Sequence, residues 1–329
     1  MLGGCDGVNT IGVGLYGLNG HQIHRKLEVY PQAELVAAAA VDPEALPQQP
    51  DGSAELRHYD SLDELLRDDR VALVSLCSPM RSKQAHEAIR CLEAGKHVYA
   101  EKPCAMSEED LDAIIAASAR TGMTFHEMAG TAFEQPWLTM RNRVREGIVG
   151  TVVQVLAQKS YPYHDRRPQD EDVDGGLTLQ SGVHALRFIE HVGGVRVETI
   201  EAVETGLGNP KEGGLKMAVS MMMRLENGGV AAAVANYLNP NAFGTWGNET
   251  LRIFGTKGFV EATDGGTRTR LVLNDEDCGP LTLDEPSLDY LGMYLDNLQT
   301  GAPMPLTLED EVHPTRMVIR ARQSAVEKA

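Results

Sequence analysis

Residues 10–24 read TIGVGLYGLNGHQIH, and the change of pattern inside this stretch decides the fold. Thr10 to Tyr16 is a short apolar run laced with glycine, Gly17-Leu18-Asn19-Gly20 breaks it, and His21 to Val29 continues at helical spacing. The reading is strand, turn, helix, with the turn at a strand's carboxyl end, where open α/β sheets bind ligands. Two glycine registers compete. Gly12, Gly14 and Gly17 match GxGxxG in form, but that register starts the turn inside the strand and leaves about four residues of sheet, fewer than usual. In the other, Leu15 takes the first glycine's place, Gly17 lets the backbone approach a pyrophosphate, and Gly20 sits where helix and strand pack closely. The helix amino terminus then faces the phosphates. Tyr16, Gly17, Leu18, Asn19 and Gly20 are the expected cofactor turn.

Working outward, Ala33 to Val41 (AELVAAAAV) is a second strand that ends at Asp42, and Pro43 stops it. Asp42 follows Gly20 by 22 residues, close to the roughly 20 of a dinucleotide fingerprint. Its carboxylate would accept from ribose hydroxyls and repel a 2′-phosphate, favouring NAD over NADP. The alternative is an ordinary aspartate at a strand end. A helix over Ser61 to Arg67, a strand over Val71 to Leu76, a helix over Ser82 to Ala94, a strand over Lys96 to Ala100 and a helix from Ser107 to Thr121 follow. Ser107 with Glu108, Glu109 and Asp110 has the N-cap and acidic first turn of a helix start. Such alternation predicts a parallel sheet with helices on both faces, a Rossmann-type domain. Cys77-Ser78-Pro79 closes one strand, so Ser78 and Pro79 are expected to line the crevice. Glu101-Lys102-Pro103 closes the next and puts a lysine at the same edge of the sheet.

After residue 150 the pattern changes. Val152 to Gln158, Val197 to Glu204, Met217 to Leu225, Val230 to Leu238 and Leu251 to Phe254 are strand-like, and Asn227-Gly228 makes a hairpin between two of them. This predicts an α/β protein of two domains, 1–125 for the dinucleotide and 126–329 for substrate and oligomerisation, the second built on one open sheet. Met221, Met222 and Met223 fit core or subunit-interface packing, and a sheet covered on one face suggests a homodimer or homotetramer. The loop Tyr161-Pro162-Tyr163-His164-Asp165-Arg166-Arg167-Pro168 is rich in hydrogen-bonding side chains. Either it holds a carboxylate or polyol through Tyr163, Arg166 and Arg167, or it is a solvated loop. Trp246 is either an apolar wall for a sugar ring or a packing residue at a strand start. In the helix predicted over Leu179 to Val192, Gln180 and His184 stand four apart on one face. His184 is a general base for a hydroxyl proton or a satisfied core histidine.

Composition narrows the function. Lys plus Arg number 30 against 47 Asp plus Glu, a net charge of -17, so the long-range field repels phosphate backbones and anionic membranes. Five cysteines form no CxxC pair, and the amino terminus Met1 to Asp6 has neither basic region nor apolar stretch, which together predict a reducing cytoplasm. The histidines show no HxH or HExxH spacing, so no metal centre is expected.

Taken together, GLYGLNGHQIH, the strand ending at Asp42, CSP at 77–79, EAGKHVYAEKP at 93–103, GGLTLQSGVH at 175–184 and IFGTKG at 253–258 resemble the Gfo/Idh/MocA family of NAD(P)-dependent sugar and cyclitol oxidoreductases. The resemblance implies a Rossmann domain, a second α/β domain with an open, mostly antiparallel sheet, and an active site between them acting on a carbohydrate or cyclitol. It also implies that Lys102 contacts the substrate hydroxyl and the nicotinamide ribose and that His184 handles the proton. Glu101 and Lys102 complete the expected cofactor contacts. The chain departs from the family pattern at Gln180, where an aspartate is expected: an amide can orient a hydroxyl but cannot stabilise an imidazolium. Hence two alternatives stand beside an NAD-dependent dehydrogenase: a redox-neutral glycoside-cleaving or epimerising enzyme that retains its NAD, and a catalytically silent NAD-binding sensor.

Overall fold

The computed structural model describes residues 10–46 and 55–327; Cys5 and the stretch Met1 to Asp6 lie outside the described residues. Six parallel strands, β1 (Ile11–Tyr16), β2 (Ala33–Ala39), β3 (Arg57–Tyr59), β4 (Leu73–Leu76), β5 (His97–Ala100) and β6 (Phe125–Glu127), form the first sheet in the order β3-β2-β1-β4-β5-β6. Helices α1 (Leu62–Leu66), α2 (Gln84–Glu93) and α3 (Glu108–Thr121) alternate with them. The Ser61 and Ser107 side chains cap α1 and α3 by accepting from Glu64 and Asp110 N–H. Sequential strands run outward from β1 in one direction and from β4 in the other. The crevice outside their carboxyl ends is therefore the topological switch point, where dinucleotides bind in such sheets.

One predicted helix is absent. Residues 21–29 form a turn and a single 3-10 turn, Leu27–Val29. Gln22 explains the difference: its Nε2 donates to the carbonyls of Gly17 (2.9 Å) and Ser75 (3.1 Å), and its Oε1 takes the Ile23 N–H. The segment's polar groups are thus satisfied across the sheet instead of along a helix axis. The expected helix amino terminus therefore does not form at the turn.

The second unit holds α4 (Trp137–Arg145), α5 (Glu171–Asp174), α6 (Gly176–Gln180), α7 (Gly182–Arg187), α8 (Tyr290–Thr300) and α9 (Leu308–Glu327). Its eight strands are β7 (Val152–Ser160), β8 (Val197–Thr205), β9 (Ala218–Leu225), β10 (Val230–Asn236), β11 (Thr250–Gly255), β12 (Gly258–Thr263), β13 (Arg268–Leu273) and β14 (Glu276–Gly279). They follow the order β14-β13-β12-β11-β7-β10-β9-β8, every pair antiparallel except β7 with β10. Period-two alternation gives the sheet two unlike faces. Val155, Met221, Met223, Ala233 and Ile253 are buried on the inner face. On the outer face Met222 is 74% exposed, with Val230 and Val234 of neighbouring β10 near it in the register.

The two units are tied together by charge as well as by packing. Arg316 and Arg320 of α9 pair with Glu108 of α3 at 3.2 and 2.9 Å. Deeper in, Arg187 pairs with Glu127, both fully buried, and Thr315 donates to the same carboxylate. Among the described residues no helix is long and apolar enough to cross a membrane.

Candidate active site

Lys102 leaves the carboxyl end of β5 and is 3% exposed. Its Nζ donates to the Gln180 carbonyl at 2.9 Å and stands 4.0 Å from Glu101 Oε1. Burial pushes the Lys102 ammonium down to about 8, against the pull of Glu101. Burial also works to raise the Glu101 carboxyl, but His21, Lys102 and Arg81 outweigh it and hold the group below its usual range.

The Lys102 contact corrects a second expectation. The helix predicted over Leu179 to Val192 is broken into α6 and α7 and ends in a π turn, Phe188–Val192. With its carbonyl engaged by Lys102, Gln180 does not accept from the His184 N–H, which bonds to the Ser181 carbonyl instead (3.2 Å). The side chains of Gln180 and His184 accordingly meet different partners. Gln180 Oε1 accepts from Ser181 Oγ (2.9 Å) and Tyr237 OH (3.1 Å), whereas His184 Nδ1 lies 3.3 Å from Thr131 Oγ1. His184 Nε2 is buried with no protein partner. Burial first, then the charges of Lys102, Lys159, Arg187 and His21, push the imidazole well below its ordinary value, so it is neutral.

Two cavities meet at Lys102 and His21. One, of about 210 Å³, is lined by His184, Thr131, Tyr99, Met128 and Glu134. The other, of about 200 Å³, is lined by Asn19, Gly20, Arg166, Arg167, Asp174 and Gln180. Between them they offer a cation, a neutral imidazole and a buried carboxyl group.

The loop at 161–168 borders the second cavity. Arg166 is exposed; Arg167 is buried, with its guanidinium 3.5 Å over the Tyr237 ring and a bond to the Pro162 carbonyl. Tyr163 OH, His164 Nδ1 and Arg167 Nε are buried without protein partners, a concentration that a polar ligand would relieve. Trp246, 59% exposed, stacks on His164 at 6.0 Å and stands 6.0 Å from Tyr161, whose ring is 6.5 Å from His184. It lies in the loop before β11, not at a strand start.

At the cofactor turn, Gly12 and Gly14 lie inside β1, while Gly17 and Gly20 have φ of +70° and +135°. A Cβ on Gly17 would run into the Cys77 carbonyl, and one on Gly20 into the Glu101 carboxylate. Both glycines thus serve close approach within the protein as well as the turn. Asn19 Nδ2 donates to the carbonyl of Val173, and Arg81 donates to the Asn19 carbonyl. Pro79 abuts Gly17, whereas Ser78 is buried and donates to the Met80 carbonyl, and Tyr16 OH donates to Glu87 on α2. Asp42 is exposed just beyond β2, its Oδ1 accepting from Glu44 N–H. Positive-φ glycine at the tip of β1 and a free carboxylate edge at the tip of β2 suit a dinucleotide laid across the switch point.

Sequence reasoning missed Asp174 and His21. Asp174 lines the second cavity, accepts from Gly176 N–H at 2.9 Å, and is pushed up by burial. His21 has no metal-ligand spacing to mark it, and its pairing with Glu101, 80 residues away, leaves no trace in local pattern.

Comparison with known proteins agrees with this architecture. Residues 7–128 match the profile described as an oxidoreductase family with an NAD-binding Rossmann fold, and residues 137–261 match the GFO/IDH/MocA C-terminal domain. The chain is 25% identical to a myo-inositol 2-dehydrogenase of Thermotoga maritima over 339 aligned positions, 98% of this chain and 96% of that one. Among solved structures it is similar to an oxidoreductase of Thermotoga maritima, with a TM-score of 0.84, 23% identity and coverage of 97% and 99% of the two chains. It is also similar to a levoglucosan dehydrogenase in complex with NADH and levoglucosan, with a TM-score of 0.79, 16% identity and coverage of 97% and 98%.

Proposed function

The chain belongs to the GFO/IDH/MocA oxidoreductase family, and from that premise we propose that it exchanges hydride between NAD and a secondary carbinol of a cyclitol or sugar. The observation that carries this reading is the meeting of a buried lysine ammonium and an unpartnered, neutral imidazole nitrogen at one cavity wall. That pair suits a hydroxyl that must lose a proton as its carbon loses a hydride. The inositol dehydrogenase relative and the levoglucosan-bound neighbour support a ring polyol.

Lys102 has three N–H donors, one of which is held by the Gln180 carbonyl. The others are left to bind the reacting oxygen and to stabilise it as it becomes anionic. His184 Nδ1 faces Thr131 Oγ1, and in the tautomer protonated at Nδ1 the ring would offer the Nε2 lone pair to the hydroxyl proton. Gln180 acts through its main chain by positioning Lys102, and its amide stays with Ser181 and Tyr237. Tyr163, Arg166 and Trp246 are proposed to border the polyol. Bound NAD supplies the hydride acceptor; the turn Tyr16 to Gly20 with Asp42, Ser78, Pro79 and Glu101 would hold it. There Asp42 would accept from ribose hydroxyls, and its charge would disfavour a 2′-phosphate.

Titration of purified protein with NAD and NADP tests the cofactor part of this reading. NAD is expected to bind at least about tenfold tighter, as about 1.4 kcal/mol of charge repulsion requires, and Asp42→Ser is expected to narrow the gap. Equal binding by the unaltered protein would refute the role of Asp42.

A further inference from the structure

The reacting groups of this site are shut away from water. Lys102 is buried, and although His184 is half-buried its Nε2 is closed off from solvent with no protein partner, while its lowered basicity disfavours a resting proton there. A proton taken from a substrate hydroxyl has to leave through another group.

His21 has the features that such a group needs. Its side chain is 74% exposed, yet it lines both cavities beside Lys102 and shares the first with His184. Its Nδ1 lies 2.8 Å from Glu101 Oε2, and the same oxygen accepts from the His21 backbone N–H. A carboxylate facing Nδ1 holds the ring proton on that nitrogen and leaves Nε2 as the basic one. Glu101 is itself fixed: it is 1% exposed, and its other oxygen accepts from Lys102 N–H at 2.9 Å. Gly20 is part of the same arrangement, because only a residue without Cβ lets the Glu101 carboxylate come this close to the turn. Gln180 offers no carboxylate to His184, whereas Glu101 offers one to a second imidazole that opens to solvent.

Resting on the oxidoreductase reading above, we infer that His21, oriented by Glu101, carries the reaction's proton between the buried site and water. In the oxidative direction the carbinol C–H and O–H bonds break and the C=O bond forms. The hydride goes to NAD, and the proton passes to His184 Nε2, then through the shared cavity to His21 Nε2, and out to water or buffer. The sum is alcohol plus NAD⁺ giving ketone, NADH and a proton. In reduction the proton enters by the same route.

His21→Ala tests this, since removing an exposed ring leaves the core intact. The reaction is followed with NAD and myo-inositol, or with whichever member of a panel of cyclitols and pyranoses the unaltered enzyme turns over fastest. In dilute buffer kcat is expected to fall about 100-fold, with the NAD dissociation constant unchanged by direct titration. Added imidazole is expected to restore kcat in proportion to its concentration while leaving the unaltered enzyme unaffected, a response that a merely structural role would not produce. Intact kcat in the variant, a loss that imidazole does not reverse, or a loss explained by weaker NAD binding overturns the assignment of His21 alone. An unaltered enzyme idle on the whole panel overturns the oxidoreductase reading, and this assignment with it.

Discussion

Replacing Lys102 with alanine lowers kcat/KM by about 10² to 10³, the size of effect seen when a preorganised donor to a developing oxyanion is removed. The ammonium is almost fully buried and its contacts are the Gln180 carbonyl and Glu101, so the variant loses the group that faces the reacting oxygen while the cofactor turn keeps its own bonds. NAD affinity, measured by titration, therefore stays near the original value. The pH profile gives the same prediction a second reading. The Lys102 ammonium is lost as pH rises through about 8, so kcat/KM falls on that side. His184 must be neutral to take a proton, and its value is well below the ordinary one, so the acid limb lies well below pH 6.5. Lys102→Ala is expected to remove the alkaline limb and keep the acid one. An alanine variant with undiminished rates contradicts the role given to Lys102.

The second large effect concerns stability. Arg187 and Glu127 are an ion pair with no exposure on either side. Arg187 also donates to the Met128 carbonyl at 2.8 Å, and Glu127 takes Cys104 N–H at 2.7 Å and the Thr315 hydroxyl. Arg187→Met fills much of the volume but strands a buried carboxylate, which costs about 3 to 5 kcal/mol. Urea unfolding is the measurement. A double variant that also carries Glu127→Gln is expected to regain part of the loss, because the stranded charge is gone. A single variant within about 1 kcal/mol of the parent would mean that the pair is not the clamp that joins β6, α7 and α9.

Much of this architecture is legible in the chain because it is written in local pattern. The apolar run to Tyr16 with glycine at 17 and 20, the cap at Ser107, and the Asn227-Gly228 hairpin all mark their elements. What escaped depends on contacts between distant residues. Helical spacing over 21–29 does not register that Gln22 is held by Gly17 and Ser75. The four-residue spacing of Gln180 and His184 does not register Lys102, 78 residues away, taking the carbonyl that would have continued the helix. Strands β13 and β14 carry Arg268, Arg270, Glu276 and Asp277, so these polar strands at one end of the sheet show little apolar alternation. Lys102 and His184 each sit in a marked motif; Asp174 ends the one-turn helix α5 and His21 lies in an irregular stretch, where residue type alone says little.

The most direct test of the account is to incubate the protein with NAD and myo-inositol deuterated at its ring carbons, or with the equally labelled panel substrate, and to weigh the NADH formed. Deuterium from the carbinol carbon is expected to appear in the NADH as ketone accumulates. NADH without deuterium, or no NADH with any cyclitol or sugar of the panel, would contradict it.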